Sequence, residues 1–359
     1  MARVYNFNPG PAVLPLEALQ EAQKELVDFK GSGMSIMEAS HRGKDYEAVH
    51  NEAAENIKKL LGIGDSHAVL FLQGGASQQF AMVPMNLLGE GQSADYVNSG
   101  AWASKAIKEA KIIGKVNVIA DTGKDIPTKL PEVSSLKFTP GAAYVHITSN
   151  ETIAGTQWKA FPKTQAPLVA DMSSDMLSRP FDVNQFGLIY AGAQKNLGPA
   201  GVTLVILRKD LAEKASEKVP VIFRYKTHLE ENSLYNTPPC FSIYMLMLVT
   251  RWVMKQGGLE GIAKRNREKA AKVYAAIDGS KFYKGTAVPA FRSDMNITFR
   301  LPSEALEEAF IKEASGQKLK GLKGHRSVGG VRASIYNAFP MEGIDALVAF
   351  MKDFEKKNG

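Results

Sequence analysis

Cysteine is almost absent from this sequence: among its 359 residues only Cys240 carries a thiol. One thiol closes no disulfide within the chain, so a packed core has to supply the stability, and a reduced compartment fits. Long apolar runs are also missing. The longest, Phe241–Val249, is interrupted by Ser242 and closed by Thr250 and Arg251. It is too short to span a bilayer and reads as a buried helix, so no membrane association is expected. The first fifteen residues hold no basic stretch leading into an apolar one, so no secretory leader is expected and a cytoplasmic location is the default. No HExxH and no clustered His/Cys/Asp set occurs, and no metal is expected. The GxGxxG fingerprint of dinucleotide sites and the GK[ST] of a P-loop are absent too.

What is present is ordinary globular usage, 45% hydrophobic and 23% charged, with length enough for two domains. The net charge of +7 is basic. Its only dense Lys/Arg block is the tail Lys352–Lys357, where Asp353 and Glu355 are interleaved, so nucleic acid is not an expected partner. Small anionic ligands are the better match for a few placed arginines.

Seven β-like runs follow one another: Val69–Gln73, Asp95–Asn98, Asn117–Ala120, Tyr144–Thr148, Pro167–Met172, Leu188–Ala193 and Val202–Leu207. Helical spacing separates the early ones, as in Phe80, Pro84, Leu87, Leu88 and in Trp102, Ala106, Ile107, Ala110. This alternation predicts an α/β fold, a mostly parallel seven-stranded sheet with helices on both faces. The link from Ala193 to Val202 is too short for a parallel crossover. Either Val202–Leu207 runs antiparallel to its partner or the two are not neighbours. Beyond about Lys255 the pattern changes to a helix (Leu259–Ala276), a strand (Arg292–Arg300), a helix (Glu304–Ala314), a strand (Gly330–Ile335) and a terminal helix (Gly343–Phe354), a smaller α+β domain. The expected division is a large domain over 16–255 and a small one from 1–15 with 256–359.

Three local patterns carry chemistry. The apolar run Pro167–Ala170 ends in Asp171, and the run from Gly187 ends in Gln194-Lys195, 24 residues further on. Strand, loop and strand would bring both side chains to the carboxyl edge of the sheet, where open α/β folds bind ligands. A lysine in a low-polarity site loses its proton more readily and turns nucleophilic toward an aldehyde. An aspartate can hold a pyridinium nitrogen protonated. Alone, each residue is more often a solvated lysine or a turn cap. The third pattern, Gln73-Gly74-Gly75-Ala76-Ser77, joins a strand to a helix, whose free N–H groups suit a phosphate.

The ordered set of Gly74–Ser77, Trp102, Ser149-Asn150-Glu151-Thr152, Asp171 and Gln194-Lys195 resembles the fold-type I pyridoxal-phosphate enzymes. More narrowly, Asn8–Ala12, His41–Tyr46, Tyr235–Pro239 and His325–Asn337 resemble the phosphoserine aminotransferases of the class V group. The resemblance covers nearly the whole chain, and it implies roles. Lys195 would bond the cofactor covalently and shuttle the proton at the substrate Cα; Asp171 would face the pyridine nitrogen; Trp102 would stack on the ring. Ala76, Ser77 and Gln194 would hold the phosphate, Thr152 the ring hydroxyl. Asn236 and Thr237 would reach the cofactor phosphate of a second copy, making the enzyme a homodimer with shared active sites. Arg332 would take the α-carboxylate, and His41, Arg42, His325 and Arg326 the substrate's phosphate or the distal carboxylate of glutamate. The implied reaction is ping-pong: glutamate leaves as 2-oxoglutarate, and 3-phosphohydroxypyruvate takes the amino group to become O-phosphoserine, in serine biosynthesis with a related step toward pyridoxal phosphate itself. Some members place an arginine after the glycines; Ser77 stands there, so the phosphate cup relies on dipoles and hydroxyls.

Two other readings stand beside this one. Within the same fold the chain could be an aminotransferase for another acid or a cysteine desulfurase relative; the desulfurase needs a mobile nucleophilic thiol, and Cys240 beside Pro238-Pro239 is poorly placed for that. A basic binding protein that kept the fold without turnover would not need the Asp171/Lys195 pair. His50, His67, His146 and His228 have no partner motif and are read as surface or core residues.

Overall fold

The structure, a computed structural model, describes residues 3–123 and 127–359. Its centre is a seven-stranded sheet built from β1 (His67–Leu72), β2 (Ser93–Asn98), β3 (Lys115–Asp121), β4 (Val145–Thr148), β5 (Leu168–Asp171), β6 (Leu188–Gly192) and β7 (Thr203–Arg208). The spatial order is β1-β7-β6-β5-β4-β2-β3. All seven expected runs are strands of this one sheet. The short link after β6 resolves as antiparallel pairing: β7 lies between β1 and β6 and opposes both, with Leu204 opposite Phe71 on one side and Ala191 on the other. The remaining neighbours are parallel.

Burial on both faces explains why the strands read as unbroken apolar runs. Successive side chains alternate between two cores. Leu204 and Ile206, with Ile189 and Ala191, meet the all-round apolar helix Cys240–Lys255 on one face. Val205 and Leu207, with Leu188 and Tyr190, meet Phe80, Val83 and Ile107 on the other. Those residues lie on α2 (Gly75–Leu87) and α3 (Ala101–Ile113), which follow β1 and β2. An earlier helix, α1 (Lys44–Leu61), buries Tyr46, Val49, Ala53 and Ile57 at helical spacing, a pattern the sequence reading passed over.

A third core gathers Phe7, Val273, Phe299, Phe310 and Phe350. Around it lie Gly258–Asp278, Glu304–Gly316, Met341–Asn358 and a sheet of β8 (Lys284–Gly285), β9 (Asn296–Arg300) and β10 (Val331–Ser334), with β9 central. The expected strand Arg292–Arg300 starts later than predicted. Arg292 turns out to Asp278, with Nη1 and Nη2 donating at 2.6 and 2.7 Å, and only Asn296 begins the ladder. Among the described residues no helix is long and apolar enough to cross a membrane.

Because β1, β2, β4, β5 and β6 point the same way, their carboxyl ends share one edge, the place the fold offers to a ligand. β7 holds that edge together from the middle. Leu204 is fully buried, and Leu204→Ala is expected to cost about 2–5 kcal/mol, read as a lower midpoint in chemical denaturation.

Candidate active site

A cavity of about 240 Å³ opens at the carboxyl edge. Each strand end contributes a short segment. β1 runs into Gly74, at φ +79°, and Gly75, at φ +64°, a left-handed turn open to glycine. A Cβ on Gly74 would lie 2.1 Å from the Gln78 side chain. The turn starts α2, so the first N–H groups, Ala76 and Ser77 among them, have no partner inside the helix and face the cavity with the positive end of the helix dipole. β2 leads into α3, whose second residue is Trp102; β4 leads into Thr152; β5 ends in Asp171; β6 leads into Gln194 and Lys195. All of these side chains line the same cavity.

Lys195 is 8% exposed. Its Nζ donates to Thr152 Oγ1 at 2.5 Å and lies 5.4 Å from the Trp102 ring centroid. Burial pushes its amine down to about 8, opposed by the carboxylates of Asp171 and Glu151 and reinforced by Arg332. Asp171 is buried as well. Desolvation raises its carboxyl above the usual carboxylate range, while the hydroxyl and N–H of Ser173 pull it back. The Ser173 N–H donates to Asp171 Oδ1 at 2.9 Å, and its hydroxyl accepts from Gly192 N, so the acid is tied to the end of β6.

The C-terminal core supplies the opposite wall. Arg332, on β10, is 6% exposed, and its Nη1 donates to the Thr152 carbonyl at 3.4 Å. Burial lowers its guanidinium. His325 lines the cavity beside it, with Nδ1 2.7 Å from Ser327 Oγ; burial and then the charge of Arg332 hold its imidazole below the ordinary value. The N-terminal segment closes the floor. Gly10 has φ +143°, and a Cβ there would come within 3.4 Å of Lys195 Cγ. Ala12 N donates to the Gln194 carbonyl at 2.9 Å.

Among the described residues, three that line the cavity carry a buried polar atom without a partner: Thr148 Oγ1, Trp102 Nε1 and Arg332 Nε. Buried polar groups are normally paired, so these mark where a polar ligand belongs. A flat aromatic wall, a cup of N–H donors and a buried acid and amine on adjacent strands fit a planar ligand that carries an oxyanion. They also hold an amine near neutrality, ready to attack a carbonyl.

Of the residues singled out from the sequence, Ala76, Ser77, Trp102, Thr152, Asp171, Gln194, Lys195, His325 and Arg332 are brought together. The other five are not in this cavity. His41 and Arg42 line a separate surface cavity with Glu47, His50 and Glu230, and Arg42 Nε donates to His41 Nε2 at 3.4 Å. Asn236 lines a third cavity; the Thr237 carbonyl accepts from Gln73 Nε2 at 2.9 Å, and Arg326 is exposed beside His325. His50, His67, His146 and His228 are all core residues. The sequence reading missed Gly10, Thr148 and Ser173 as cavity residues. Ser173 had a signal, two positions after the strand-end acid. The nearness of Gly10 to Lys195 is a tertiary contact with no local trace.

The amine can be tested directly. With trinitrobenzenesulfonate and peptide mapping, Lys195 is expected to label with a midpoint near pH 8, ahead of surface lysines at about 10.4. Asp171→Asn should lower that midpoint, because the carboxylate favours the ammonium form. A midpoint that stays or rises would mean that Asp171 does not act on the amine.

Comparison with known proteins agrees with this chemistry. The family model described as aminotransferase class-V matches residues 4–347. A phosphoserine aminotransferase of Desulfosudis oleivorans is 61% identical, with 99% of each chain covered. The solved phosphoserine aminotransferase from Bacillus circulans subsp. alkalophilus superposes with a TM-score of 0.98 at 58% identity, over 99% of each chain. The solved pyridoxal-phosphate-bound phosphoserine aminotransferase from Trichomonas vaginalis gives 0.94 at 41% identity, over 98% of this chain and all of the other. With a strand-end lysine and acid in one cavity and a family match over almost its full length, the chain belongs to the class-V aminotransferases.

Proposed function

We propose that this aminotransferase uses pyridoxal 5'-phosphate to move an amino group from glutamate to 3-phosphohydroxypyruvate, giving 2-oxoglutarate and O-phosphoserine, a step of serine biosynthesis with a related use on the route to pyridoxal phosphate. The observation that carries this reading is the meeting of Lys195, Asp171 and Trp102 at the N–H cup of Ala76 and Ser77. When bound, the cofactor supplies the electron sink that stabilises charge at the substrate Cα. Asp171 would hold a proton at the ring nitrogen, and Trp102 would cover one face of the ring. Ala76 and Ser77 donate to the phosphate through N–H groups and a hydroxyl, with Gln194 beside them. Thr152 would serve the ring hydroxyl, since its own O–H can donate while its oxygen accepts from Lys195. Lys195, its amine lowered by burial to about 8, would take the proton from the substrate Cα and return it to the carbon on the other side of the transferred nitrogen. Arg332 offers two N–H groups to the α-carboxylate, the fork geometry that a carboxylate accepts. The half-buried Cys240, with Sγ donating to the Pro238 carbonyl and its thiol raised by burial, is unsuited to a desulfurase's thiolate.

The proposal includes a homodimer. His41, Arg42, Asn236 and Thr237 lie outside their own chain's cavity, and a second copy is what would bring them to one. There, His41 and Arg42 would join His325 and Arg326 around the substrate's phosphate or the distal carboxylate of glutamate, and Asn236 and Thr237 would reach the cofactor phosphate. We further propose a division into 16–255 and 1–15 with 256–359, which the separate C-terminal core supports, and a cytoplasmic location, which the lone thiol suits.

Single-turnover spectroscopy of the protein with bound cofactor tests the reaction. O-phosphoserine and glutamate are expected to bleach the visible cofactor band, serine and alanine hardly at all. A missing band in the presence of added pyridoxal phosphate overturns the assignment of Lys195; an equal response to alanine overturns the phosphate-recognising role of the His-Arg pairs. The shared site makes its own forecast. Mixing and refolding Lys195→Ala with Arg42→Ala, each nearly inactive, should restore about a quarter of the activity, because one of two sites in each mixed dimer is intact. No recovery would put Arg42 and Lys195 of one chain in the same site.

A further inference from the structure

Glu151 is a buried acid that the reaction above does not use. It lies on the short strand Asn150–Glu151, is fully buried, and meets three uncharged donors. Ser99 Oγ and Ala103 N donate to Oε1 at 3.1 and 3.2 Å, and Trp102 N donates to Oε2 at 3.4 Å. Trp102 and Ala103 are the second and third residues of α3, whose N-terminal N–H groups have no partner inside the helix. A serine, threonine or aspartate at the N-cap normally serves such groups. Here the N-cap is Gly100, which has no side chain to offer. The glycine leaves room instead: a Cβ on Gly100 would lie 2.6 Å from Glu151 Cδ. The acceptor of this helix therefore comes from a residue 51 positions away in sequence. Burial raises the carboxyl to about 7, and the three donors work against that rise. The positive end of the helix dipole favours the carboxylate as well.

The next residue, Thr152, accepts the Lys195 amine on its hydroxyl and Arg332 Nη1 on its carbonyl. Two consecutive residues thus hold the tryptophan wall, the lysine and the arginine. We propose that Glu151 is a positioning residue: by capping α3 from a distance, its carboxylate fastens Trp102 to the segment that orients Lys195 and Arg332, so that ring stacking and proton transfer share one anchor. The inference rests on the reading of Trp102 and Lys195 as cofactor residues. The cap itself is visible without any cofactor.

Both parts can be measured on the full chain. Glu151→Gln keeps the shape but turns an N–H group toward one of the donors. Hydrogen exchange followed by mass spectrometry, without added cofactor, should show about five- to tenfold faster exchange in the peptide containing Trp102 and Ala103, with β5 and β6 unchanged. With pyridoxal phosphate bound, the induced circular dichroism of its visible band, per bound cofactor, should fall, because the ring loses its fixed wall. A second variant covers poor folding of the first: Glu151→Ala with Gly100→Ser returns an acceptor to the helix's own N-cap and should restore slow exchange there. Unchanged exchange at Trp102 in Glu151→Gln overturns the cap. Faster exchange with unchanged dichroism overturns the positioning role. If the parent protein gives no visible band at all, the reading of the preceding section fails, and the exchange experiment still decides the cap.

Discussion

Taking one amine out of water is the constraint on which this molecule turns. A lysine on the surface stays protonated well above neutrality, and in a dry site beside a fixed carboxylate it would remain an ammonium ion. Lys195 escapes both because, among the described residues, no carboxylate touches it. Its direct partner is the hydroxyl of Thr152, while Asp171 and Glu151 act through space and Arg332 opposes them. A hydroxyl can hold the amine in place without fixing its charge. That choice requires each acid to be occupied elsewhere, Asp171 with Ser173 and Glu151 with the start of α3. The strand ends, the glycine turns and the C-terminal wall are all arranged around these separations.

The C-terminal core contributes more than a cover. Arg332 enters through β10, and the segment after that strand is bound into the large sheet's loops: Asn337 N donates to Asn196 Oδ1 at 3.0 Å, next to Lys195. Lys269, fully buried, donates to the carbonyls of Ile335 and Tyr336 at 2.9 and 2.6 Å, so a neighbouring helix secures the same segment. The N–H donors of this buried amine and a row of carbonyls satisfy one another without an acid. The arginine and the lysine are thereby held on a common frame, although they belong to different cores.

Much of this was legible in the residues. Strands buried on both faces leave continuous apolar runs, and each of the seven sheet strands was found that way. The antiparallel course of β7 was one of two outcomes left open by the length of the link after Ala193, and its pairing decided between them. Asp171 and Lys195 were visible because each ends such a run. What stayed hidden depends on contacts between distant parts of the chain. Nothing near Gly10 points to the Lys195 side chain, and nothing near Gly100 points to Glu151. The helix Lys44–Leu61 does have a readable period in Tyr46, Val49, Ala53 and Ile57, which no sequence expectation covered. His41 and Arg42 mark a different boundary, since their own chain's fold leaves them outside the cavity at Lys195.

The reversed strand in the middle of the sheet also bears on motion. Lys195 sits on a short connection whose two ends enter β6 and β7, hydrogen-bonded neighbours with partners on both sides. Such a tether cannot swing as a loop between a strand and a helix can. The travel available to the amine is then rotation about its own four-carbon stem, a few ångströms swept within a stationary backbone. An enzyme built this way would deliver protons by side-chain torsion and leave slower rearrangements to the parts that admit and release substrate.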